Sequence, residues 1–233
     1  MDEKIAKVCP ARHTCKQHNI LCGSGCPLFV ELRYQTELSG IPRRHRKFTI
    51  ESLPEDTIRL AALKTYNENI IQRVKAGQGL YLHGNTGSGK TTALAALAMS
   101  YIVEASKTAL RTGQRSVQMV LFLNVPELLA GLKRGFDDPA EQIIWASKLS
   151  LARRVPLLIL DDIGAEKPTE WARERLTEII GARYDNERTT LISSNLTLPE
   201  LKEHIDPIGR ITSRISGMTI PMEYKGKDRR KPI

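Results

Sequence analysis

Four short stretches of this 233-residue chain carry residues whose types and spacing suit phosphate chemistry. The first, Gly84-Asn85-Thr86-Gly87-Ser88-Gly89-Lys90-Thr91, fits G-x-x-x-x-G-K-[ST] and runs on into Thr92. Its glycines let backbone N–H groups close around phosphate oxygens, and a helix starting at its end adds positive potential. Lys90 is expected to reach the β- and γ-phosphates of ATP and the Thr91 hydroxyl to ligate Mg2+. The second stretch, residues 155–164, is an apolar run ending in Asp161-Asp162-Ile163-Gly164. Such a run reads as a buried parallel strand that delivers carboxylates at its C-terminal edge. Asp161 is then placed to hold Mg2+ through water, and Asp162 to orient or deprotonate an attacking water. The third stretch ends in Ser193-Ser194-Asn195. Asn195 emerges beside the γ-phosphate if its strand adjoins the carboxylate strand, and capping the following helix is its competing role. In the fourth, Arg210 and Arg214 are four residues apart and share one helix face. An arginine supplied across a subunit contact stabilises charge on a transferring phosphoryl group, whereas a solvated surface pair does nothing of the kind.

Cys9, Cys15, Cys22 and Cys26 are all the cysteines of the chain and fall within 18 residues. Where thiols are kept reduced, such a cluster reads as metal ligands before disulfides. Four thiolates complete a tetrahedral zinc site, and so short a segment has few other means of folding. The spacings lack paired C-x2-C knuckles, His13 and His18 are rival ligands, and an iron–sulfur cluster is the alternative occupant.

The elements that must position these residues follow from periodicity. Strands are expected over 79–83, 118–124, 155–160, 189–195 and 218–222. Helices are expected over 92–103, 126–133, 140–153 and 168–184, the last with Pro168 near its first turn. Alternation of strands with helices implies an α/β fold with a parallel sheet flanked by helices. Residues 28–34 form a short amphipathic stretch, and Arg43-Arg44-His45-Arg46-Lys47 reads as a basic linker or arm.

Composition bounds the function class. Hydrophobic residues make up 41% and charged residues 26%, which excludes wholesale disorder. No uninterrupted apolar run approaches bilayer-spanning length, and the N-terminus lacks a signal-peptide core, so a cytoplasmic protein is expected. The formal charge of +9 is concentrated at the ends: residues 1–47 carry nine basic and four acidic groups, and residues 225–233 carry five and one. The body between them is neutral, so the ends are where a polyanion such as nucleic acid would be met. Aromatic residues are only 5%, which argues against an extensive base-stacking platform.

Taken together, Gly84–Thr91, the Leu-Asp161-Asp162-Ile-Gly-Ala-Glu166 segment, Ser193-Ser194-Asn195 and Arg210-Ile-Thr-Ser-Arg214-Ile resemble the replicative-helicase loaders of the DnaC/DnaI type, which are AAA+ ATPases. The resemblance covers residues 46–233, and Gly226-Lys227-Asp228-Arg229-Arg230 is similar to the family's terminal segment. It implies an AAA+ core over 56–233, a basic linker over 41–55 and an N-terminal cysteine-rich module over 1–40 that meets the helicase. It further implies that Asn195 senses the γ-phosphate, that Arg214 is an arginine finger acting on a neighbouring subunit's ATP with Arg210 beside it, and that Arg230 is a second sensor with Arg229 its rival. A slow, partner-stimulated ATPase that loads a DnaB-type ring helicase onto single-stranded DNA is the function so implied. Asp162 departs from the Glu common in AAA+ proteins, which shortens that carboxylate by one methylene. An ATPase accessory to transposition, of the IstB type, is the alternative. A small-molecule kinase is disfavoured by the sensor and arginine segments.

Overall fold

The computed structural model describes residues 9–12, 15, 22–54, 57–114, 117–167, 169–226 and 228. Five strands, β1 (Gly79–His83), β2 (Val120–Asn124), β3 (Leu157–Ile163), β4 (Thr189–Ser194) and β5 (Thr219–Glu223), form one parallel sheet in the order β2-β3-β4-β1-β5. The helices are α1 (Pro27–Leu38), α2 (Thr57–Glu68), α3 (Ile70–Lys75), α4 (Lys90–Thr112), α5 (Val125–Arg134), α6 (Pro139–Arg154), α7 (Glu170–Asp185), α8 (Leu198–Ile205) and α9 (Arg210–Met218). This bears out the α/β reading. It also lengthens the helix after the phosphate loop by nine residues at its C-terminal end and adds α2 and α3, for which no helix was expected.

Strands β1 to β4 are buried on both faces because both faces are covered, whereas the edge strand β5 is largely exposed. Leu80, Leu82, Val120, Phe122, Leu157, Ile159 and Leu191 turn to a core shared with α4, while Tyr81, Leu121, Leu123, Leu158, Leu160 and Ile192 turn to a core shared with α5, α6, α7 and α9. The period-2 alternation along each strand thus divides the chain into two cores. Helix α4 is long and apolar enough, by length and composition alone, to cross a bilayer, but most of it is buried in the first core, as a central helix must be.

Residues N-terminal to the sheet close the first core beside β2. Cys9, Ala11 and Leu32 pack into it with Ile41 and Ile50. The Phe122 N–H donates to Ser39 O at 2.7 Å, Met119 N–H to Gln35 Oε1 at 3.0 Å, and Gln118 Nε2 to Leu38 O at 2.7 Å. These bonds cover the open edge of β2 with the end of α1. The basic stretch after it is docked as well. Arg43–His45 forms a 3-10 turn, His45 is buried with Nδ1 3.0 Å from Thr92 Oγ1, and Arg46 binds Ile41 O and Glu37.

Arg183 on α7 locks the other core. It is fully buried, and its guanidinium donates to the carbonyls of Ala152, Val155, Pro156 and Thr189 and to Thr190 Oγ1. Burial, and then the nearby Arg188, push its pKa down to about 9, so it stays charged at neutral pH. One planar cation thereby satisfies acceptors at the starts of both β3 and β4. Arg183→Met fills the volume but strands those acceptors, each costing roughly 1–3 kcal/mol when buried unpaired. The expected result is a loss of at least about 3 kcal/mol in urea unfolding; an unchanged midpoint would contradict this role.

Candidate nucleotide site

The site gathers at the C-terminal edge of the sheet, where loops leave β1, β3 and β4 side by side. The chain leaves β1 through Gly84, turns at Gly87 and Gly89, both with positive φ (80° and 100°), and enters α4 at Lys90. No side chain caps the first turn of α4, so its N–H groups face the loop as an anion site does. Lys90 is buried, and its Nζ donates to Gly84 O at 2.8 Å, Asn85 O at 2.9 Å and Asn195 Oδ1 at 2.9 Å.

Asn195 is exposed one residue beyond β4, and β4 does adjoin β3. Its competing role as a helix cap falls to Thr197, which forms a capping box with Glu200 at the start of α8. Asn195 therefore keeps its amide for the lysine.

Asp161 is buried at the end of β3, and its Oδ1 accepts from Thr91 Oγ1 at 2.8 Å and Ser193 Oγ at 2.6 Å. Between Leu160 and Ile163, β3 spends three steps where β4 spends two, Ile192 to Ser194. This is a one-residue bulge. It is accommodated by Asp162 in the left-handed region at φ 59°, an uncommon conformation for a non-glycine residue. The Asp162 N–H donates to Ser193 Oγ at 2.9 Å. The bulge buries the first carboxylate and leaves the second half-exposed beside it. Burial raises the pKa of Asp161 above the usual carboxylate range, with the Asp162 charge adding to the rise and the hydroxyls of Ser193 and Thr91 working against it. A carboxylate beside a hydroxyl is the hard-oxygen donor pair that Mg2+ takes, so the residues present fit that ion.

Ser193 and Asp206 are two positioning residues that the sequence reading did not single out. Ser193 braces the Asp161 carboxylate and the Asp162 backbone N–H. Asp206, buried before α9, accepts from Ile211 N at 2.8 Å, Thr212 N at 2.7 Å and Thr212 Oγ1 at 2.9 Å. It fixes the start of the helix bearing Arg210 and Arg214. A Ser in an apolar strand gives no signal of its role, while Asp ahead of a helical stretch is the ordinary signature of a cap. Arg210 is exposed, whereas Arg214 is half-buried and turns its Nη1 back to Arg210 O at 3.0 Å. Neither hydrogen-bonds to the phosphate loop among the described residues, so the structure does not bring this pair to the lysine and carboxylates of its own chain. Asn85 bonds Gly226 through both ends of its amide, and its Nδ2 also reaches Thr86 O of the loop at 3.4 Å. Arg229 and Arg230 lie outside the described residues.

The four cysteines are free thiols. Tight turns carry two of them, with Arg12 N–H bonded to Cys9 O and Cys26 N–H to Gly23 O. Burial raises the Cys9 pKa, and charges on Cys22, Cys15 and Cys26 would raise it further, so the four sit within electrostatic reach of one another. Among the described residues no group of three or more His, Cys, Asp or Glu is arranged to hold a metal ion. His13 and His18 lie outside the described residues.

This fold and site define a P-loop, ATP-binding protein of the AAA+ class. The model of the IstB-like ATP binding protein family matches residues 55–208, and the chain belongs to that family. The replicative helicase loader DnaI of Bacillus subtilis (strain 168) is 33% identical over 184 residues, which are 73% of this chain but 51% of DnaI. The chain thus spans about half the length of that relative. A crystal structure of DnaI matches with a TM-score of 0.64 at 26% identity, over 82% of this chain and 94% of that one. The putative insertion sequence ATP-binding protein y4uH of Sinorhizobium fredii (strain NBRC 101917 / NGR234) is 29% identical over 199 residues, 81% of this chain and 72% of its own length.

The raised pKa of Asp161 has a testable sign. A carboxylate whose folded pKa lies above its unfolded value loses stability as pH rises through that window, and at neutral pH the full cost is present. Asp161→Asn is therefore expected to melt about 2–4 °C higher without ligand and to lose the further rise given by ATP with Mg2+. Thermal melts with and without MgATP check this; a variant that melts lower and still responds to MgATP would contradict it.

Proposed function

We propose that this chain is an ATP-switched loader of a DnaB-type ring helicase onto single-stranded DNA during replication initiation, acting in the cytoplasm. The observation that carries the reading is the 2.9 Å contact between Lys90 Nζ and Asn195 Oδ1, across the mouth of the loop beside Asp161. A lysine, a polar sensor and a carboxylate meet where a γ-phosphate would enter, which suits a protein that distinguishes ATP from ADP.

In this reading the loop Gly84–Thr92 wraps the phosphates, and Lys90 exchanges protein acceptors, Asn195 among them, for phosphate oxygens. Thr91 and Asp161 hold Mg2+, which supplies charge neutralisation on the β- and γ-phosphates. Asp162, half-exposed and held at an unusual φ, orients or deprotonates the attacking water. Asn195, released by Lys90, reads the γ-phosphate. Arg214 serves the site of an adjacent copy with Arg210 beside it, and Arg230 or Arg229 contributes from the C-terminus. Because Asp162 is one methylene shorter than Glu, hydrolysis is slow until a partner completes the site. ATP state then times assembly on, and release from, the helicase.

Residues 1–40 are assigned to the helicase contact, 41–55 to the basic linker and 56–233 to the ATPase core. Zinc is proposed at Cys9, Cys15, Cys22 and Cys26, supported by four thiols within electrostatic reach of one another. Single-stranded DNA has a second support on the surface. Phe136, 71% exposed, meets the Trp171 ring edge-on at 6.0 Å, and Lys133 lies over the same indole at 5.3 Å. Few aromatic residues are needed when the ones present are gathered beside cations. The transposition reading has the y4uH relative in its favour; the N-terminal cysteine segment favours the loader.

Lys90→Ala is expected to abolish ATP-dependent loading of the helicase onto a single-stranded DNA circle, and loading at the unaltered level would sink the mechanism. Chain purified without oxygen is expected to carry one zinc per molecule by elemental analysis, lost when Cys9 and Cys26 are replaced by Ser; absence of any bound metal would refute the site.

A further inference from the structure

The Asn85 side chain and the crowding at Gly87 are not used by the chemistry above. Asn85 Nδ2 donates to Gly226 O at 2.7 Å, and Asn85 Oδ1 accepts from Gly226 N at 3.1 Å. One side-chain amide thus engages both backbone groups of a residue 141 positions away, a pairing that reads main-chain position and not side-chain identity.

The neighbouring contacts alternate along the C-terminal segment. The Tyr224 N–H donates to His83 O at 2.6 Å, and Tyr224 O crosses so near Gly84 that a Cβ there would lie 2.5 Å from it. Gly226 lies against Ser88, and a Cβ on Gly87 would overlap the Asp228 carboxylate. Residues 224, 226 and 228 therefore face the loop in the period of an extended chain. They continue the parallel pairing of β5 with β1 beyond the strand ends and lay the segment across residues 83–88.

We infer that Asn85 is a positioning residue: its two bonds to Gly226 seat the C-terminal segment on the phosphate loop and couple that seating to nucleotide binding. The inference rests on reading the loop as an ATP site. The contacts of Tyr224, Gly226 and Asp228 brace residues 83–88, so a seated segment holds the loop in one conformation before nucleotide arrives, which favours ATP by pre-organisation. Coupling of this kind is reciprocal, and bound ATP holds the segment in place as strongly as the segment holds ATP.

A double-mutant cycle separates this from direct phosphate contact. MgATP affinity is measured by calorimetry for the full chain, for Asn85→Ala, for a chain ending at Lys225, and for both changes together. Asn85→Ala in the full chain is expected to weaken ATP about fivefold to tenfold, the scale of two lost hydrogen bonds, and to have no further effect in the shortened chain. Asn85→Ala is also expected to speed trypsin cleavage after Lys225 with no nucleotide present. Equal weakening by Asn85→Ala in both backgrounds, or none in the full chain, would overturn the inference. If the unaltered chain binds no ATP, the nucleotide reading falls, whereas the trypsin comparison still tests the bonds to Gly226 by themselves. Cleavage at an unchanged rate in Asn85→Ala would show that those bonds do not seat the segment.

Discussion

One oxygen of Asp161 accepts hydroxyl hydrogen bonds from Thr91, at the start of α4, and Ser193, near the end of β4. The carboxylate itself ends a strand, so three segments that the chain visits far apart are drawn to one buried acceptor. A charge so placed is costly to bury, and it is held by dipoles instead of by a full opposite charge in contact. Its raised pKa records that cost. A divalent cation would offset it, so the surroundings of Asp161 suit a ligand of opposite charge.

Lys90 shows the same economy in the opposite sign. The buried Lys90 ammonium donates to two loop carbonyls and to Asn195. Each acceptor becomes available when a phosphate takes the lysine. Nucleotide binding thus changes hydrogen bonding at the ends of β1 and β4 together. Helix α8 starts two residues after Asn195 at the cap Thr197, and α9, which bears the arginines, packs on α8 and α7. The path from nucleotide to the outward-facing Arg210 is therefore short. His45, bonded to Thr92 on α4, gives the N-terminal residues a comparable connection on the opposite side.

Much of this was legible in the residues. The phosphate loop, the acid-tipped strand and the Asn-tipped strand are each an apolar run followed by polar groups, and the sheet order places their ends together. What could not be read were features decided by packing between distant segments. Two adjacent aspartates at a strand end would point to opposite faces; only the bulge, paired to β4 through Ser193, makes one buried and the other available. The basic run at 43–47 reads as a linker or arm because sequence reports charge and not the face of α4 that receives His45. Low aromatic content argues against an extensive stacking platform, but composition could not show that Phe136 and Trp171, 35 positions apart in the chain, meet beside Lys133. Asn85 read as one more loop residue, since nothing in G-x-x-x-x-G-K-[ST] marks a side chain that turns outward to the C-terminus.

The central claim is that the γ-phosphate, sensed at Lys90 and Asn195, decides whether the chain engages a ring helicase. Sedimentation velocity of the chain mixed with a DnaB-type helicase, with a non-hydrolysable ATP analogue and then with ADP, tests it most directly. The account predicts a stable co-sedimenting complex with the analogue that dissociates when ADP replaces it. A complex of equal stability with both nucleotides, or with neither present, would contradict it.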